Sequence, residues 1–169
     1  MSKISLYKSE DDPNRILDNR LLKGISYILE EFIGEPKVLK FQNPLFDSES
    51  TPSVTLENYL IRIQRCAKCS EECFIIAIIY LERIQELNQE LQFNRQNIHR
   101  FFIIAIVLAI KFHDDDIFMN EYYARVGGIS LQDLNDMEKC FLTMLNFQFY
   151  VYEETYYQYL KRKKINFRK

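Results

Sequence analysis

The chain has 169 residues, enough for one compact domain with a substantial core. Hydrophobic residues make up 47% and charged residues 27%, the balance of a soluble globular protein rather than a disordered one. A formal net charge of −2 lacks the basic excess of nucleic-acid-binding domains, and only four Gly and four Pro speak against a turn-rich sheet fold.

The opening segment, residues 1–12, has no apolar stretch of signal-peptide length, so an intracellular location in cytoplasm or nucleus is expected. The first helix is expected from Asp12-Pro13, where Asp12 can cap and Pro13 fits the first turn. Ile16, Leu17, Leu21, Ile25, Ile28, Leu29 and Phe32 then recur at helical spacing, and Gly34 and Pro36 end the element. Residues 35–53, with Pro36, Pro44 and Pro52 and several Ser, read as a linker. A second helix covers Thr55 to Ala67, with Leu56, Tyr59, Leu60 and Ile63 inward. Ser70 is expected to cap a third, with Glu71 and Glu72 at the positive end of its dipole, and it runs to Leu87.

The fourth, Asn97 to Phe112, is apolar on nearly every side and belongs at the centre of a bundle. Its apolar run, Phe101 to Ile110, is far short of the ~20 residues that span a bilayer, so no membrane association is expected. A short fifth helix, Asn120 to Val126, stops at Gly127-Gly128. The sixth starts on a Ser130-x-x-Asp133 capping pattern and reaches Phe147, and Tyr152 to Lys161 adds a last short one. The expectation is an all-α domain.

Several stretches carry a resemblance. Tyr59-Leu60-Ile61-Arg62-Ile63, Cys69-Ser70 with Cys73-Phe74, and Tyr80-Leu81-Glu82-Arg83 are similar to the P-/U-type (PHO-type) cyclins. So are Asn97-Ile98-His99-Arg100 and Ala109-Ile110-Lys111-Phe112. The strongest stretch runs from Asn120-Glu121-Tyr122-Tyr123-Ala124-Arg125-Val126-Gly127-Gly128 through Leu134-Asn135 to Met137-Glu138 and Phe141-Leu142. The resemblance implies a five-helix cyclin box over 51–150; it does not cover the first forty or so residues, so the N-terminal helix and linker over 1–50 rest on the pattern of residues alone. A C-terminal extension with a basic tail occupies 151–169.

It also implies a non-catalytic subunit that binds and activates a cyclin-dependent protein kinase, with no cofactor, metal or small-molecule substrate. The alternative is a cyclin-fold scaffold or a transcription-factor-like module that activates no kinase; its DNA-binding form wants a basic face, which the acidic composition does not favour.

Two charges interrupt apolar stripes. Lys111 closes the fourth helix on the face of Ile104 and Leu108, and Glu138 lies among Leu134, Phe141, Leu142 and Leu145 on the sixth. A charge so placed costs desolvation energy unless paired, which suggests one Lys–Glu pair at the rim of an apolar patch. Spacing leaves an intradomain salt bridge and a binding role equally open; the resemblance implies that the pair hydrogen-bonds main-chain groups beside the kinase's regulatory helix. It further implies apolar contacts from Phe112, Leu142, Phe147 and Phe149. Periodicity alone puts Leu142 and Phe147 in the core, and gives Phe149 the better claim to exposure.

Other signals carry less. Cys66, Cys69 and Cys73 include one Cys-x-x-Cys spacing without a matching second pair, so small structural cysteines are expected rather than a zinc site. Asp114-Asp115-Asp116 lacks calcium-loop spacing and reads as a solvated loop. His99 and His113 have no triad partners in sequence, and no phosphate-binding Gly loop is present. Arg62 and Glu82 are candidates for an interhelical pair. The tail Lys161-Arg162-Lys163-Lys164 with Arg168 and Lys169 matches either a nuclear-localisation cluster or a solvated charge run. Residues 51–55 are unlike the segment with which cell-cycle cyclins dock substrate motifs, so that activity is not expected.

Overall fold

The computed structural model describes residues 19–34 and 43–163, which form seven helices and no named strand. These are α1 (Asn19–Phe32), α2 (Leu56–Ala67), α3 (Glu71–Leu87), α4 (Ile98–His113), α5 (Asn120–Gly127), α6 (Leu131–Met144) and α7 (Glu153–Arg162). The expected start at Asp12-Pro13 and the stop at Pro36 lie outside the described residues. None of the described helices is long and apolar enough to cross a membrane.

Burial dictates the arrangement. Every residue from Phe101 to Ile110 is buried, so α4 must be enclosed on all sides. Its largest neighbour is α3, whose residues Cys73–Leu81 are likewise buried. The α3–α4 pair is the axis of the bundle; α6 packs on α4, α5 joins α2 to α6, and α1 and α7 pack on α3.

Local signals set the boundaries. Thr55 accepts from the amide of Asn58 (3.2 Å) and Ser130 from that of Asp133 (3.0 Å), so both hydroxyls cap, Ser130 as expected and Thr55 instead of opening the helix. Ser70 sits at the start of α3 with extended backbone, but its hydroxyl makes no cap bond. It turns instead to Asp114 Oδ1 at 2.7 Å, while the Ser70 amide donates to Asp114 Oδ2 at 3.0 Å. Asp114 is therefore half-buried and ties the end of α4 to the start of α3, which corrects its reading as part of a solvated loop.

The described part of the presumed linker is pinned to the core. Phe46 is fully buried and stacks on Phe101 with ring centroids 4.0 Å apart. Asn97 donates to Asp47 (3.2 Å), and Arg100 donates to the Leu45 carbonyl (2.7 Å) and to Asp133 (3.1 Å).

The sixth helix ends at Met144, before the expected Phe147. Asn146 and Phe147 both turn left-handed (φ 51° and 56°), and the Phe147 amide reaches back to the Leu142 carbonyl at 3.0 Å. This is a Schellman-like stop made without glycine.

At the α5 terminus Gly128 takes φ 69°, a left-handed cap that glycine adopts without steric cost. Gly127 serves a different need. A Cβ there would lie 2.8 Å from Ile103 Cγ1, a fully buried methylene of a β-branched side chain on α4. Gly127→Ala is thus expected to destabilise the chain by about 1–3 kcal/mol through overpacking. The check is a lowered midpoint in urea with an unchanged slope.

Candidate functional site

The first charge after the apolar run of α4 is Lys111, in the last turn, where a cation complements the helix dipole. Glu138 projects from the middle of α6. Lys111 Nζ lies 2.5 Å from Glu138 Oε1, with the two side chains 25% and 17% exposed. The expected pair therefore forms and keeps an edge to solvent. Such a pair adds little net stability, because the desolvation of both ions offsets their attraction.

The second carboxylate oxygen is also engaged. Asn120, the first residue of α5, donates from Nδ2 to Glu138 Oε2 at 2.8 Å and to Asn135 Oδ1 at 2.7 Å. Sequence reasoning gave neither asparagine a role. The available signal was the Asn135-x-x-Glu138 spacing, which places both residues on one face of α6.

Phe112 directly follows Lys111 in the last turn of α4. Phe112 and Phe149 stack with centroids 3.8 Å apart, Phe112 being 42% exposed. Leu142 is half-buried against the core. The exposures expected for the other two phenylalanines are reversed: Phe147 is 62% exposed and Phe149 is half-buried. The left-handed turn at Asn146 and Phe147 is the cause, since it rotates Phe147 off the inward stripe of α6.

Two α3 residues that the sequence did not single out hold this segment. Tyr80 Oη donates to the Phe149 carbonyl at 2.5 Å, and Arg83 donates to the carbonyls of Gln148 (2.7 Å) and Tyr150 (2.8 Å). Since the Tyr80 hydroxyl has one proton, its 3.1 Å contact with His113 Nε2 requires the histidine to be the donor. Ile117, Phe118 and Met119 are also exposed, directly before Asn120.

The remaining candidates have structural partners. Cys73 is buried and Cys69 and Cys140 are half-buried, whereas Cys66 is exposed, contrary to a uniform small-core role. Burial pushes the Cys69 and Cys73 thiols up, away from thiolate chemistry. No group of three or more His, Cys, Asp or Glu that could hold a metal occurs among the described residues.

Arg62 does not meet Glu82. It donates to the Arg125 carbonyl at 2.9 Å, and Glu82 instead receives Arg162, Tyr159 and Lys163 from the other end of the chain. Arg162 and Lys163 of the basic tail are thereby engaged with the bundle, while Lys164, Arg168 and Lys169 lie outside the described residues. In the segment 51–55, Thr55 caps α2 and the Val54 carbonyl receives His99 Nε2 at 3.0 Å.

A family model described as Cyclin matches residues 10–149. Among curated proteins, Cyclin-U4-1 of Arabidopsis thaliana is 39% identical over 122 residues, covering 70% of this chain and 60% of that protein. Cyclin-U1-1 of the same plant is 32% identical, covering 87% of this chain and 75% of that protein. Cyclin-P4-1 of Oryza sativa subsp. japonica is 41% identical, covering 57% of this chain and 46% of that protein. Against the first two U4-type relatives the chain spans 60% and 64% of their length.

Burial holds both His99 and His113 below the usual histidine range. The unfolded chain binds a proton near pH 6.5, before the folded one does, so protonation favours unfolding. The stability contributed by the neutral rings is complete above about pH 6.5 and is lost as pH falls through the folded values. Chemical denaturation at pH 7.5 and 5.0 should show this loss. His113→Gln, which retains a donor towards Tyr80, should reduce the difference between the two.

Proposed function

The chain belongs to the cyclin family, and on that premise we propose that it binds and activates a cyclin-dependent protein kinase. The observation that carries this reading is the Lys111–Glu138 pair, mostly buried but with an edge to solvent, with the Phe112–Phe149 stack starting one residue after Lys111. The ammonium retains donors for a partner's carbonyl, and the carboxylate retains lone pairs for a partner's amide. Together they suit a main-chain segment beside the kinase's regulatory helix.

The aromatic border would supply the apolar part of the grip. Phe147 and Phe112 present ring surface to solvent, Phe149 stacks on Phe112, and Leu142 is half-buried against the core. Fully desolvated aromatic anchors surrounded by polar contacts carry most of the energy in such interfaces. Activation follows if this grip repositions the regulatory helix and so assembles the kinase's active site. This role places the chain in the cytoplasm or nucleus, where such kinases work.

Lys111→Ala and Glu138→Ala are each expected to weaken kinase binding by about 3 kcal/mol or more, since each strands the partner charge at a closed interface. Helical content and melting temperature should hardly move, because the edge of the pair is open to water in the free chain. Affinity capture from native cells with kinase identification provides the partner, and calorimetry on the purified proteins gives the loss. Normal binding by both variants would overturn the reading.

Phe147→Ala offers a second check, with a loss of about 1–3 kcal/mol in binding. Its stability should stay within about 0.5 kcal/mol of the unmodified chain, because the ring is largely solvated. A phosphorylation assay with and without the chain then tests activation.

A further inference from the structure

Glu138 is held from two sides, and the nature of its partners fixes the direction of every hydrogen bond around it. A carboxylate only accepts. The Asn120 atom 2.8 Å from Glu138 Oε2 must therefore be its amide nitrogen, and that same nitrogen spends its other hydrogen on Asn135 at 2.7 Å. The atom that Asn135 turns to Asn120 must then be its oxygen. The chain of bonds is polarised throughout, from Lys111 to Glu138, and from Asn120 to both Glu138 and Asn135. Neither amide can flip without setting like groups against each other.

We propose that Asn120 is a positioning residue for kinase binding: it supplies the donor that fixes the Glu138 carboxylate, and Asn135 fixes Asn120 in turn. This rests on the reading of Lys111 and Glu138 as the binding pair. The geometry explains why a donor is required there. Lys111 binds one oxygen only and arrives on a flexible stem, so it leaves the carboxylate free to rotate about its terminal bond. A second donor on the other oxygen removes that freedom before any partner arrives, which lowers the ordering cost of binding. Asn120 suits the task because it starts α5, so its backbone is set by the helix while its short side chain has few rotamers to lose.

The polarity yields an asymmetric test. Asn120→Asp and Asn135→Asp each add one negative charge to adjoining positions of the same network. The first replaces the donor with an acceptor facing Glu138; the second keeps an oxygen facing Asn120. The probe is a purified recombinant cyclin-dependent kinase catalytic subunit, chosen from a panel as the one that the unmodified chain binds most tightly. Asn120→Asp should weaken that binding about tenfold or more, as expected for the loss of a charge-assisted hydrogen bond, and Asn135→Asp by no more than about threefold.

Melting temperatures of both should remain close to that of the unmodified chain, a result that a merely structural role for Asn120 would not give. Should Asn120→Asp fail to fold, Asn120→Ala, which adds no charge, should weaken binding in the same direction. Equal losses from the two Asp variants, or no loss from either Asn120 variant, would overturn the positioning role. If Lys111→Ala and Glu138→Ala lose binding while the Asn120 variants do not, only the positioning role falls. If Lys111→Ala and Glu138→Ala bind normally, or no kinase on the panel binds, the underlying reading falls and the positioning role with it.

Discussion

The described bundle is arranged around one helix whose middle ten residues have no face to give to water. From Phe101 to Ile110 each α4 side chain is enclosed, so every neighbour must present apolar surface to it. That demand explains the buried stretch of α3, the inward residues Leu134, Met137 and Phe141 of α6, and the capture of Phe46 from outside the helices. It also limits where α4 can carry chemistry. Charged and polar groups are confined to its ends: Arg100 and Asn97 at one, Lys111, His113 and the capping Asp114 at the other.

The candidate site is a product of that confinement. Lys111 emerges where α4 leaves the core, and α5 and α6 bring Asn120 and Glu138 to the same point. The aromatic border has a different origin. It depends on the short segment after α6, which α3 grips through Tyr80 and Arg83. Two of the most enclosed helices thus set the geometry of an exposed surface, and a rigid interior is what allows that surface to be pre-ordered.

Much of this was legible in the sequence. Helical periodicity and the Ser130 cap located α2 to α7 to within a few residues. Lys111 and Glu138 stood out because a charge on an apolar stripe demands a partner. What escaped had no local signature. Asn120 at a helix start resembles an ordinary polar terminus, and its bond to Glu138 joins residues on different helices. Tyr80 and Arg83 act on carbonyls more than sixty positions away, and backbone acceptors look alike at every residue. Phe147 was misjudged because a left-handed turn at a non-glycine residue leaves no mark in the pattern of apolar spacing. Arg62 and Glu82, candidates for an interhelical pair, each have other partners: the Arg125 carbonyl for Arg62, and Tyr159, Arg162 and Lys163 for Glu82.

The attachment of α7 differs in kind from the packing of α3 on α4. Its apolar residues Tyr156, Tyr159 and Leu160 are buried, but its last turn is fastened by ions. Arg162 and Lys163 converge on Glu82, and Lys163 also approaches Glu31 of α1 at 4.0 Å. These contacts are shorter than the Debye length of about 8 Å at physiological ionic strength, so salt weakens them only in part, and most at the exposed Arg162. The bundle therefore has two classes of joint, one made by buried apolar surface and one, at the last turn of α7, that weakens as electrolyte rises.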